Sequence, residues 1–192
     1  MSVQAKQLIS VEEYLTMERE SEEKHEYLNG EILAMGGASP NHGLIVANVV
    51  TQFIIQLKKR PCTVYPTDLR VKVSQTGLYT YPDVVVVCGE PQFDDQMKDT
   101  LTNPTLLVEV LSETTKDYDR GGKFVYYRAL PSFMEYVLIA QDTPHIEIFL
   151  RQPSKRWTLY ETDDIEDTIE LESIGCTLSL ADVYDKVRLQ RA

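Results

Sequence analysis

Long apolar runs are missing from this chain of 192 residues: none approaches the roughly 18 residues a membrane-spanning helix needs, so no membrane segment is expected. Cysteine is scarce. Cys62, Cys88 and Cys176 are odd in number and far apart, which predicts neither a disulfide framework nor a paired-cysteine zinc site. Cys88, at the end of an apolar run, reads as inert packing. Positive charge is also short, with 19 Lys and Arg against 30 Asp and Glu and a net charge of −11. This argues against a surface built broadly for nucleic acid, whose phosphates are bound by Lys and Arg displacing counterions. The acid is segregated, however: residues 161–172 hold seven acidic groups without a Lys or Arg, and residues 90–99 hold four with only Lys98. The remaining surface is close to balanced and leaves room for a local basic groove. Residues 1–10 have neither a basic start nor an apolar stretch, so no signal peptide is expected and a cytoplasmic protein is predicted. With 43% hydrophobic and 26% charged residues, a single domain spanning 1–192 with a sizeable core is expected.

Local signals then organise the chain. Ser10 and Glu13 form a capping box, which predicts a short helix ending near Met17. Asn29-Gly30 between two apolar-rich arms predicts a hairpin, because both turn residues must take positive φ. Ser39-Pro40 opens a longer helix in which Val46, Val49, Val50, Phe53, Ile54 and Leu57 fall on one stripe. Three strands should follow. Residues 68–73 alternate and so have one wet face, whereas the runs after Asp83 and after Pro104 are apolar at nearly every position and should be central, covered on both sides. A second helix is predicted over residues 115–129, then a strand near 135–139 and a two-stranded ribbon, 146–150 and 157–161, turning at Gln152-Pro153-Ser154. A strand near 168–171 and a short helix capped by Ser179 finish the chain. This order predicts a mixed α/β sheet.

Asp83 and Glu109 are carboxylates embedded in the two most apolar stretches. A charge buried in a strand costs several kcal/mol unless it is paired, protonated or bound to a cation. Either acid alone could be relieved at a strand end by solvent or an Arg. The two together match a hard-oxygen site of the kind Mg²⁺ occupies in phosphoryl-transfer enzymes. If their strands are antiparallel neighbours, the start of one lies beside the end of the other and the carboxylates converge. Leu107, Glu109 and Leu111 share a strand face, and the following helix would project Lys116, Arg120, Lys123 and Tyr127 along one stripe. Two acids for a metal and a Lys for a phosphate ester are the parts that phosphodiester hydrolysis needs.

The strings YPDVVVV, PTLLVEVLSETT, KDYDRGGKFVYYRAL and FMEYVLIA, with HEYLNGEILAMGGASPNH nearer the start, resemble the Uma-type restriction endonuclease family, a branch of the PD-(D/E)XK nuclease superfamily. The resemblance implies a restriction-endonuclease-like α/β core: a mixed central β-sheet flanked by helices, with an N-terminal hairpin and a C-terminal β-ribbon. It implies an endonuclease dependent on Mg²⁺ or Mn²⁺ that hydrolyses phosphodiester bonds in nucleic acid, DNA in preference to RNA. Carried over residue by residue, Asp83 and Glu109 are the motif acids and metal ligands, helped by a main-chain carbonyl such as that of Val110. The superfamily Lys, two residues past the second acid, falls on Leu111. The resemblance therefore implies that Lys123 supplies the cation from the following helix, with Lys116 the lesser candidate. Glu31 and His42 are implied near the site, and Asp119 and Arg120 form either a polar network orienting Lys123 or a plain surface pair. Two other readings stand beside this one. The acidic surface and Leu111 favour a catalytically silent nuclease-fold module for protein or nucleic-acid binding, and Glu31 with Glu109 could serve as the acid and base of another hydrolase. Nucleases of this fold that cut both strands commonly work as dimers, and the 146–161 ribbon offers an edge through which a homodimer could form.

Overall fold

The computed structural model describes residues 8–189, so the reading of residues 1–7 as free of a targeting signal lies outside it. The Ser10 hydroxyl accepts from the Glu13 N–H while the Glu13 carboxylate accepts from the Ser10 N–H, and α1 (Val11–Glu20) continues past Met17. β1 (His25–Leu28) and β2 (Glu31–Ala34) form the predicted hairpin, with φ of 49° at Asn29 and 97° at Gly30. α2 (Pro40–Leu57), capped by Ser39, buries Ile45, Val46, Val49, Phe53 and Leu57. Ile54, expected in that stripe, is 53% exposed; Ile45 takes its place, one α-helical period from Val49.

The chain next forms β3 (Cys62–Pro66), β4 (Arg70–Val73), β5 (Leu78–Thr80), β6 (Val84–Cys88), β7 (Thr100–Leu101) and β8 (Leu106–Leu111). The expected strands are β4, β6 and β8. The others are short or half-polar and carry little periodic signal. A π-helical turn, Tyr118–Lys123, leads into a single turn of α3 (Phe124–Tyr127). β9 (Glu135–Ala140), β10 (Ile146–Arg151), β11 (Trp157–Thr162), β12 (Thr168–Leu171), β13 (Cys176–Ser179) and α4 (Leu180–Val183) complete the order.

A six-stranded sheet runs β11-β10-β9-β8-β6-β3, with β8 parallel to β9 and its other neighbours antiparallel. A five-stranded sheet runs β2-β1-β5-β4-β7, and β12 pairs with β13. On one face of the larger sheet Val84, Val86, Val108 and Val110 pack against Val49 and Phe53 of α2. On the other, Val85, Val87, Leu107 and Leu111 meet Tyr127, Tyr136 and, from the smaller sheet, Val71. That double cover is why β6 and β8 read as apolar at nearly every position.

Two expectations are corrected here. Cys62 and Cys88 stand opposite each other across β3 and β6, with Cα atoms 4.0 Å apart, and are joined in a disulfide. The count misled because the odd cysteine, Cys176, is buried and free, and spacing along the chain says nothing of the register that brings the other two together. The continuous helix expected over residues 115–129 is instead the π turn plus α3. A π turn closes i→i+5 and advances each residue by roughly 80° rather than 100°, so it re-phases the side chains within it.

Candidate active site

The β6–β8 ladder pairs Val84 with Val108 antiparallel, and continuing it by one residue brings Asp83 beside Glu109. Asp83 Oδ2 accepts the Val110 N–H at 2.7 Å and lies 3.1 Å from His42 Nε2. His42 is positioned by the first turn of α2, where its N–H donates to the Ser39 hydroxyl. These two side chains, 16% and 15% exposed, are the solvent-facing end of the cluster.

Glu109 lies deeper. Its Oε1 accepts from Lys123 Nζ at 3.1 Å and from the Tyr127 hydroxyl at 2.9 Å. Lys123 Nζ is also 3.0 Å from Glu26 Oε1 and 3.1 Å from Asp119 Oδ1. The Asp119 contact is one of charge alone, since that oxygen takes no aligned hydrogen bond. The Thr80 hydroxyl donates to Glu26 from β5. Burial lifts the Glu109 carboxyl well above the ordinary carboxylate range; Lys123 opposes the shift and the like charge of Asp83 adds to it. Burial works against the Lys123 charge, yet Glu109, Glu26 and Asp119 together hold its pKa well above the lysine range. Three carboxylates, Glu26, Glu109 and Asp119, thus surround one lysine, and a fourth, Asp83, stands beside Glu109.

Asp83, Glu109, Lys123, His42 and Asp119 come together in this cluster. Arg120 does not: its guanidinium grips both Glu147 oxygens, with Nε at 2.9 and 3.0 Å, and His145 Nε2 stands 3.2 Å from the same carboxylate. Lys116 pairs with Glu113 at 3.0 Å. The π turn explains the split, because at roughly 80° per residue Asp119 stays in phase with Lys123 while Arg120 swings away. The predicted stripe of Lys116, Arg120, Lys123 and Tyr127 is therefore broken, with Lys123 and Tyr127 alone reaching Glu109. Glu31 opens β2 opposite Leu28. Sequence reasoning missed Glu26 and Thr80, and it placed Tyr127 on the stripe without giving it a role. An acid in a four-residue strand, between His25 and Tyr27, was the available signal for Glu26. Among the described residues, no three His, Cys, Asp or Glu side chains converge as a ready metal cage.

Residues 11–181 match the model of the Uma2 family, described as "Putative restriction endonuclease". The chain belongs to the Uma2 family. Among the relatives of this Uma2 chain are two uncharacterized proteins of Synechocystis sp. (strain ATCC 27184 / PCC 6803 / Kazusa). One, slr1290, is 38% identical over 176 residues, covering 92% of this chain and 91% of the relative. The other, sll1609, is 34% identical over 161 residues, covering 84% and 91%. The crystal structure of a protein titled a "putative nuclease belonging to DUF820", from Anabaena variabilis ATCC 29413, superposes with a TM-score of 0.75 at 18% identity, covering 93% of this chain and 99% of that one. At that identity the likeness speaks for the fold, the restriction-endonuclease-like α/β architecture read from the sequence.

Proposed function

We propose that this protein is a metal-dependent endonuclease that hydrolyses phosphodiester bonds, in DNA before RNA, with Mg²⁺ or Mn²⁺ held by Asp83 and Glu109. The observation that carries the reading is the charge imbalance of the buried cluster, four carboxylates against one lysine. Asp83 Oδ1 and Glu109 Oε2 take no hydrogen bond from the described residues, while the partner oxygen of each is anchored. A two-carboxylate, charge-deficient site suits Mg²⁺ or Mn²⁺, which keep several waters and take further oxygens from phosphate. When bound there, the cation would activate water and offset phosphate charge.

The chain's own groups do the rest. The Val110 N–H and His42 fix one Asp83 oxygen, and Tyr127 fixes one Glu109 oxygen, so both acids are oriented before substrate arrives. Lys123 donates to a phosphate oxygen entering beside Glu109 and stabilises the charge that develops there. Asp119 and Glu26 keep it charged and aimed. A cleft of about 650 Å³ beside the first turn of α2 is lined by Ser39, Asn41, Lys186 and Arg188, and it offers the flanking backbone a local positive surface on an acidic protein. The free edge of β11 is where a second copy would pair.

A second reading, a silent nuclease-fold binding module, is favoured by Lys123 being engaged by three carboxylates at once and by the apolar Leu111 at the superfamily lysine position. Cleavage of supercoiled plasmid with EDTA, Mg²⁺ or Mn²⁺ separates the two. Metal-dependent nicking by wild type that is lost in Asp83→Asn supports the nuclease; no cleavage of plasmid or RNA under any cation supports the module.

A further inference from the structure

Tyr118 opens the π turn, and its hydroxyl is buried with no hydrogen-bond partner among the described residues. Most buried polar side-chain atoms are paired, and an orphan calls for a ligand, a water or a functional role. Its surroundings are otherwise engaged: Glu26 takes Thr80 and Lys123, and Glu109 takes Lys123 and Tyr127. The Tyr118 ring centroid lies 5.8 Å from Lys123 Nζ. Gly122 makes room for that ring, because a Cβ there would sit 2.6 Å from Tyr118 Cδ2 and 2.8 Å from Cε2. Glycine is needed here for space.

We propose that Tyr118 is a substrate-contacting residue, its hydroxyl donating to a phosphate oxygen of bound nucleic acid next to Lys123, with Gly122 holding the ring in position. This rests on the nuclease reading above. Burial first, and then the negative charge of Glu26, push the phenol up to about 12, so at neutral pH the hydroxyl keeps its proton and acts as a donor. The other groups facing it are Lys123, Tyr126 and Asp119. An ammonium over the ring and a hydroxyl at the ring's end offer two donors to one phosphate, while the lysine's charge alone is already drawn on by three carboxylates.

The test is Tyr118→Phe, read in three ways: melting temperature, affinity for a labelled duplex oligonucleotide with Ca²⁺ or EDTA replacing Mn²⁺, and plasmid cleavage with Mn²⁺. Removing an orphan hydroxyl should leave the melting temperature unchanged or raise it. Binding should weaken and cleavage slow by roughly 10-fold or more, the change expected for one lost hydrogen bond to a charged group. Gly122→Ala should show the same loss in the wild-type background and little further loss in Tyr118→Ala, because it acts only through the ring. If wild type binds and cleaves and Tyr118→Phe does both equally well, the inference falls and the nuclease reading stands. Should wild type neither bind nor cleave, the nuclease reading fails and Tyr118 loses its role with it.

Discussion

Two ionic clusters lie in this molecule, and they are built on different plans. Between α1 and the smaller sheet, Arg70 donates to the Thr100 and Tyr81 hydroxyls at 2.9 Å each and stands 3.0 Å from Asp99. Glu18 accepts from Tyr81 at 2.9 Å and from the His25 N–H at 2.8 Å, and Arg19 bridges Asp95 and Asp99. Three acids there, Glu18, Asp95 and Asp99, face two arginines, so the protein supplies most of its own compensation. Around Lys123 are four acids and one lysine, with His42 beside Asp83, and on the nuclease reading proposed above a bound cation supplies the compensation. On that reading the first cluster is a structural rivet and the second a binding site. Burial separates them too: Arg19, Asp95 and Asp99 are 28 to 37% exposed, whereas Lys123, Glu26, Glu109 and Asp119 are 4 to 8% exposed.

The sharpest way to test this contrast is to remove the cation from each. Lys123→Met should slow metal-dependent cleavage by about two to three powers of ten, equivalent to about 3 to 4 kcal/mol of transition-state stabilisation, with metal binding largely retained. Arg70→Met should instead cost about 3 to 5 kcal/mol of stability in urea unfolding and leave the rate per folded molecule within a few-fold of wild type. Equal effects on rate would erase the distinction.

Next in size is the disulfide, which belongs to neither cluster. Replacing Cys62 and Cys88 together by serine should cost about 2 to 4 kcal/mol, as expected for a loop of 26 residues, with the Mn²⁺ response intact. Cleavage lost in parallel with stability would mean that β6 needs its far end tied to hold Asp83.

A metal titration compares the clusters directly. Mn²⁺ at a hundredfold excess over its dissociation constant should add about 2.7 kcal/mol, or roughly 5 to 10 °C in melting temperature. Asp83→Asn should abolish that shift and Asp99→Asn should leave it untouched. A shift surviving in Asp83→Asn would remove Asp83 from the site.

Much of this architecture is legible in sequence because it is local. The capping box at Ser10, the Asn29-Gly30 turn and the two apolar strands each follow from a few consecutive residues. The convergence of Asp83 and Glu109 needed one assumption, antiparallel pairing, which the Val84–Val108 register satisfies. What escaped depends on partners far along the chain. Glu26 is buried because β5 and the π turn bring Thr80 and Lys123 to it, and Cys62 meets Cys88 only through strand register. The π turn escaped because helical periodicity carries no mark of an extra residue per turn.

The smallest expected effect is on pH dependence. Arg19 above all holds the Asp99 carboxyl well below its ordinary range, against the pull of burial. Its contribution to stability is therefore complete above the unfolded pKa of about 3.9 and is lost as pH falls below that toward the folded value. Thermal melts between pH 5 and 2 should fall more steeply for wild type than for Asp99→Asn. Parallel slopes would show that the rivet draws nothing from this acid's charge.

The π turn takes up one residue more than an α-helical turn would. Gly121 has open space where a Cβ would stand and Lys116 pairs with the exposed Glu113, so exchanges at these two positions should be absorbed locally, whereas Arg120 holds the buried Glu147 carboxylate. Deleting one residue inside the turn should be absorbed as well: the turn would relax to α-helical spacing, and four steps of about 80° and four of about 100° would become seven of about 100°, which leaves Tyr127 within about 20° of its present bearing on Asp119. The π turn is a spacer that takes up one residue without turning the helix that follows it.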